Sequence, residues 1–254
     1  MRLSLLFVLV ASSALASEQP LGFTVTGPTV APGAHELRLT TTPRFGRPEE
    51  FIRIESLLGF GYGLTATLET QVLIAIALEA FGRDGRSAEG GGEVRLRWHP
   101  LDGRAHFLGL NLLGAVGLSP DSVSFEARLG VEKWLGEFLF ALNANVDYRV
   151  RRDGADGPEL HTEQSGGVVY RLLNNFTTGF EVRSRIGFER GEYYGAAIFA
   201  GPVLGWRNKT GWISLAALPQ VAAVKASSQV GNGEALELRD NERVVLRLQL
   251  GFEL

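Results

Sequence analysis

From about residue 34 to the C-terminus the chain keeps one hydrophobic period, and that period is two. The last segment shows it most clearly. Val244, Leu246, Leu248, Leu250, Phe252 and Leu254 alternate with Arg243, Val245, Arg247, Gln249, Gly251 and Glu253. Successive side chains of a strand point to opposite faces, so this spacing sets a wholly apolar row against a largely polar one. The alternation recurs at 93–98, 122–133, 138–149 and 180–186. A helix at 3.6 residues per turn would scatter these charges around its circumference.

Turn signals divide the pattern. Short ones fall at Gly61–Gly63, Pro100–Gly103, Leu135-Gly136, Asn174-Asn175 and Arg207–Thr210. Longer or more polar ones, at 44–49, 82–90, 117–121, 151–158, 189–192 and 225–241, alternate with them. Twelve strands are predicted: 34–43, 50–60, 64–80, 91–99, 105–116, 122–133, 137–150, 159–172, 176–188, 193–206, 211–224 and 242–254.

Such alternation suits a soluble barrel with its apolar face inside or a membrane barrel with that face outside. Strand length separates them. Most predicted strands are far longer than the ~5–6 residues usual in soluble proteins and meet the ~9–11 a tilted membrane strand needs. Aromatic placement agrees. Trp98, Trp134, Trp206 and Trp212 flank the short turns with Tyr62 and Tyr170, while Tyr148, Tyr193 and Tyr194 lie near the other rim. Amphipathic rings favour the two membrane–water interfaces. Short turns alternating with longer loops complete the expectation: an all-β, closed, antiparallel up-and-down transmembrane β-barrel of about twelve strands.

Residues 1–17 read as a secretory leader, with Arg2 before an apolar run from Leu3 to Ala11 and a small-x-small site at Ala14–Ala16. Cleavage is expected after Ala16. The run is too short for a membrane helix, which needs ~20 apolar residues. Residues 17–33, with three prolines, read as a flexible periplasmic lead-in, and 34–254 as the barrel. The 254-residue chain has a net charge of −3 and no cysteine. That excludes disulfides, thiolate metal sites and a cysteine nucleophile, and gives no basic surface for nucleic acid.

With these residues in view the chain resembles bacterial outer-membrane β-barrel proteins of a small, porin- or transporter-like type. The resemblance covers about residues 34–254. It rests on the leader, the strand pattern and the final strand, Val244 to Leu254. It implies an outer-membrane location, contact with outer-membrane lipid, and recognition of that strand by the barrel-assembly machinery. The family's terminal Phe or Trp is replaced here by Leu254, with Phe252 two places in. The stretch Glu126–Trp134, followed by Glu137–Tyr148, also resembles a hairpin of small, poorly characterised barrels.

Two segments break the pattern. Val72–Leu78 is apolar on both faces, which suits a strand whose inner face packs on a plug or inward loop. Pro202 and Pro219 fall in neighbouring strands although proline cannot donate to the ladder. A bulge or weak seam is one account and misplaced boundaries the other.

The polar row defines the candidate lumen. The candidate pore-lining residues are Glu93, Arg95, Arg97, Glu126, Arg128, Asp147, Arg149, Glu163, Glu181, Arg183, Arg185 and Arg247. Glu36, Arg38, Arg53, Glu55, Glu69, Glu132, Glu159, Arg171, Arg243 and Glu253 share their face. Acids and bases are equal in number, which predicts cross-strand ion pairs in place of a lumen selective for one sign. Glu93, Arg95 and Arg97, with Arg183 and Arg185 if the fold brings them near, are the candidate constriction or anion contact.

Of four histidines (His35, His99, His106, His161), only His161 has a suggestive setting, between Glu159 and Glu163 and near Ser165. These three form a weak candidate metal set, because one strand face makes a poor tetrahedral site. No phosphate loop, HExxH, GxSxG or EF-hand is present, and no cofactor is implied. The expected function is a passive channel or transporter for small solutes. A non-transporting structural or assembly barrel and a membrane-embedded lipid hydrolase are the alternatives.

Overall fold

A computed structural model describes residues 19–46, 51–81, 85–152, 157–189, 192–225, 236, 238 and 241–254. The proposed leader and its cleavage site lie outside them. Among the described residues twelve strands form: β1 (His35–Phe45), β2 (Ile52–Gly63), β3 (Leu68–Phe81), β4 (Gly85–Leu101), β5 (Gly109–Leu118), β6 (Ser122–Leu135), β7 (Phe138–Arg151), β8 (Glu159–Leu173), β9 (Phe176–Glu189), β10 (Glu192–Arg207), β11 (Gly211–Lys225) and β12 (Val244–Glu253). Each pairs antiparallel with its sequence neighbours, and β1 closes on β12, from Glu36 opposite Glu253 to Phe45 opposite Val244. The result is a closed up-and-down barrel with no edge strand.

The outward row is apolar and exposed. On β3, Val72, Ile74, Ile76 and Leu78 are 51–59% exposed, while Glu69, Gln71 and Leu73 on the alternate row are buried. Charge is therefore inside and hydrocarbon outside, the arrangement that lipid stabilises and water does not. Ala75 and Ala77 continue the inner row of β3, and their small side chains explain why Val72–Leu78 reads as apolar on both faces.

Three details differ from the sequence expectation. β4 starts at Gly85, because Gly85–Gly92 extends the β3–β4 hairpin in register with Ile74–Phe81. Glycine-rich sequence reads as a turn, but here the backbone ladder continues through it. β5 starts at Gly109, after a 102–108 connection, and the β2–β3 turn moves to 64–67. The tryptophans also divide. Trp98 and Trp206 face outward, but Trp212 is only 2% exposed and Trp134 packs against the inner core. The guanidinium carbons of Arg104 and Arg171 lie 4.5 and 4.7 Å from the Trp134 ring centroid. Two of the four rings thus serve the lumen and not an interface girdle.

Pro202 and Pro219 both sit on the outward row, on facing strands. Between Phe199–Gln220 and Val203–Ala216 the β10–β11 ladder has no registered pairs, and its register shifts at Ile198/Phe199. Each proline is still registered with its other neighbour, Pro202 with Phe180 and Pro219 with Val244. The seam is real, and the missing proline N–H groups account for it.

Candidate functional site: a charged chamber behind an inward N-terminal segment

Residues 19–33, expected as a lead-in outside the barrel, lie inside it. Their backbone polar groups need partners away from bulk water, and lumen side chains supply them. The Glu181 carboxylate accepts from the N–H groups of Gly22, Phe23 and Thr24 at 3.0, 2.9 and 2.6 Å. Glu132 accepts from Gly27 N–H at 2.7 Å and Glu69 from Val30 N–H at 2.8 Å. The carbonyls are met by arginines: Arg97 donates to Thr26 and Gly27 at 2.9 and 2.5 Å, Arg128 to Phe23 at 3.4 Å, and Arg247 to Gly22 at 3.3 Å. The Gln19 side chain closes the segment on itself, donating to Thr26 O at 2.7 Å and accepting from Thr26 N–H at 3.0 Å.

The barrel is shaped for this insertion. Glu181 stands opposite Gly167 of β8 and Gly201 of β10, Glu132 opposite Gly109 of β5, and Glu69 opposite Gly63 of β2. Each anchoring carboxylate therefore has a neighbour without a side chain, which leaves room for a backbone to approach. At Gly63 a Cβ would overlap the Ala31 carbonyl, where the segment leaves the lumen beside β2. Leu21 and Phe23 fill an apolar inner wall made by Leu139, Ala141, Val169, Ala197, Phe199, Val203, Ala216 and Leu218. A plug therefore exists, but its apolar seat is on β7, β8, β10 and β11, not on β3.

The plug occupies the half of the lumen nearest the short turns. Above it lies a chamber of about 370 Å³. Arg95, Arg97, Glu126, Arg128, Asp147, Arg149, Glu163, Arg183, Arg185 and Arg247 all line it. Glu93 instead lines a second opening of about 290 Å³, and Glu181 is covered by the plug. Arg95 and Arg97 do share the chamber with Arg183 and Arg185, although Arg95 is bonded to Glu93 and Arg97 is turned to the plug.

The charge balance counted along the strands does not hold locally. Among the described residues, ten arginines line the chamber against Glu55, Glu126, Asp147 and Glu163. Glu36, Glu69, Glu132 and Glu181 sit lower, where Arg38, Arg97 and the plug N–H groups take them. Register along the barrel axis, which a count cannot register, separates the two signs. Ion pairs do line the wall, among them Arg183–Glu163 at 2.6 Å, Arg128–Glu126 at 2.7 Å and Arg44–Glu55 at 2.6 Å. From the other end Glu242, buried, reaches within 3.6 Å of Arg44.

The candidate metal set does not converge. Glu163 is taken by Arg183, and His161 Nε2 is 3.8 Å from Glu159. Among the described residues no three His, Asp or Glu side chains form a group able to hold a metal ion. His99 is buried 3.5 Å from Glu132, His35 stacks on Phe60 and Tyr62, and His106 lies in the 102–108 turn.

The architecture matches solved outer-membrane barrels. The COG4313 outer-membrane channel from Pseudomonas putida F1 superposes with a TM-score of 0.68 at 9% identity, covering 93% of this chain and 100% of that one. The KdgM porin in complex with disordered oligogalacturonate gives 0.55 at 9% identity, with coverages of 86% and 99%. The NanC porin gives 0.53 at 12% identity, with coverages of 86% and 100%. At these identities the likeness is one of fold. No curated protein matches the sequence. The sequence model of a family of unknown function, DUF6662, matches residues 117–254, from the end of β5 through β12, and the chain belongs to that family.

Proposed function

We propose that the protein resides in the outer membrane as a passive channel for small polar solutes, narrowed on the short-turn side by residues 19–33. The observation that supports this reading best is the chamber itself. A barrel that served only as a scaffold would gain from a packed interior, whereas this one keeps about 370 Å³ walled by charged side chains. The porins among its structural neighbours agree with it. The apolar row of β12, from Val244 to Leu254, is the proposed signal for barrel assembly.

Single-channel recording of the refolded protein in a planar bilayer tests the reading. Discrete, reproducible conductance steps are expected. Silence from protein verified as folded, in the wild type and after removal of residues 19–33, would overturn it in favour of a structural barrel.

A further inference from the structure

We propose that the chamber is a binding site for a small oxyanion carrying two or more carboxylate or phosphate groups, held by Arg149, Arg185 and Arg247. The proposal deepens the channel reading by naming the class of solute, and it rests on that reading for its biological sense.

Arginine does not lose its proton in a protein, so every chamber guanidinium is a fixed positive charge. Seven of the ten lie within 4 Å of a carboxylate, on the wall or just behind it. Among the described residues, Arg149, Arg185 and Arg247 have none. Asp147, the one chamber carboxylate without a cation in that range, answers a single charge of the three. Among the described residues, three chamber guanidiniums thus stand outside any ion pair and face a single unpaired chamber carboxylate.

Hydrogen bonding points the same way. Arg185 Nη1 and Arg183 Nε are closed off from solvent without a hydrogen-bond partner, and Arg183 as a whole is 4% exposed. Among the described residues Arg247 donates only to the Thr42 hydroxyl, at 3.1 Å, and to the Gly22 carbonyl. The wall therefore carries charged donors in excess of protein acceptors. A group with two or more anionic oxygens matches the guanidinium fork with bidentate pairs and spans separate arginines, which a single halide ion does not. The space suffices, since a water takes about 30 Å³ of liquid and the chamber holds a solute several times that size. The second cavity adjoins the first. Arg149 and Arg247 line both the chamber and the second opening, so they stand at the junction of the two.

Isothermal titration calorimetry on the full-length protein, folded in detergent, tests the site without requiring conduction. The probes are citrate and inorganic pyrophosphate, with chloride and sucrose as controls. Saturable binding of either probe is expected. Citrate alone assigns a carboxylate site, pyrophosphate alone a phosphate site, and both the shared chemistry. Arg185→Gln should weaken binding about tenfold, as loss of a charge-assisted donor does. Arg149→Gln repeats the test if Arg185→Gln does not fold, as judged by heat-modifiable gel migration. Arg86→Gln, an exposed residue of β4 outside both cavities, should bind as wild type does. No binding of either probe, or equal binding by the folded Arg185→Gln and Arg149→Gln variants, would overturn the proposal. Binding by a protein silent in bilayers would leave the site standing and remove the channel reading. Conduction without binding would do the reverse.

Discussion

The Phe23 ring of the plug lies 3.8 Å from the Arg247 guanidinium carbon, measured to the ring centroid, and Arg183 approaches the same ring at 4.3 Å. One aromatic face system thus holds two like charges that would otherwise address the chamber. Each such contact contributes about 0.5–2 kcal/mol. Phe23→Ala should release both guanidiniums and widen the path. Larger single-channel conductance and a reversal potential shifted toward anion preference in a KCl gradient are expected. An unchanged reversal potential would show that these arginines do not face the permeation path.

Glu181 is the strongest single anchor, because one carboxylate receives three successive backbone N–H groups. Glu181→Gln loses the charge that strengthens those bonds, at about 1–3 kcal/mol of docking energy. The barrel wall is untouched, so heat-modifiable migration should not change. Chymotrypsin should then cut at Leu21 or Phe23, which are 1–2% exposed in the docked plug. Equal protection in the variant would show that the apolar wall alone holds the segment.

Gly22 has no room for a side chain. A Cβ there would stand 2.5 Å from Ala216 Cβ and 3.1 Å from a Glu181 carboxylate oxygen. Gly22→Ala should raise conductance by unseating the tip of the plug. Adding Ala216→Gly removes the main obstacle and should bring conductance back toward wild type. A single variant indistinguishable from wild type would mean that the tip moves aside without cost.

Hydrogen exchange should find the β10–β11 seam. Peptides covering 199–203 and 216–220 should exchange at least tenfold faster than those covering the continuous β6–β7 ladder, because local opening there breaks fewer bonds. Equal rates would show that the apolar contacts of Phe199 and Leu218 compensate for the missing ladder.

The twelve strands were legible because a two-sided wall enforces its period on every residue: Val72 cannot exchange faces with Leu73 without placing Gln71 and Glu69 in lipid. The start of β4 was not, since Gly90–Gly92 carries no face preference. The plug was hidden for another reason. Pro20, Pro28 and Pro32 mark it as irregular, and irregular sequence has no period to read. A signal did exist in register. A buried carboxylate with glycine across the strand, as Glu181 has at Gly167 and Gly201, asks for a partner from elsewhere. That relation appears only once strands are aligned to the residue. Local charge excess in the chamber was concealed likewise, because acids and bases balance along the sequence and separate only along the barrel axis.

Four of the plug's anchors, Glu69, Glu132, Glu181 and Arg247, come from β3, β6, β9 and β12. In a closed ring of twelve these strands stand a quarter-turn apart. No hairpin or half-sheet holds all four, so the plug gains its full set of contacts only when β1 meets β12. The apolar wall and Glu181 lie together on β7 to β11, and the other anchors stand around the rest of the ring. Closure therefore turns a one-sided seat into a socket that grips the N-terminal segment from every quarter.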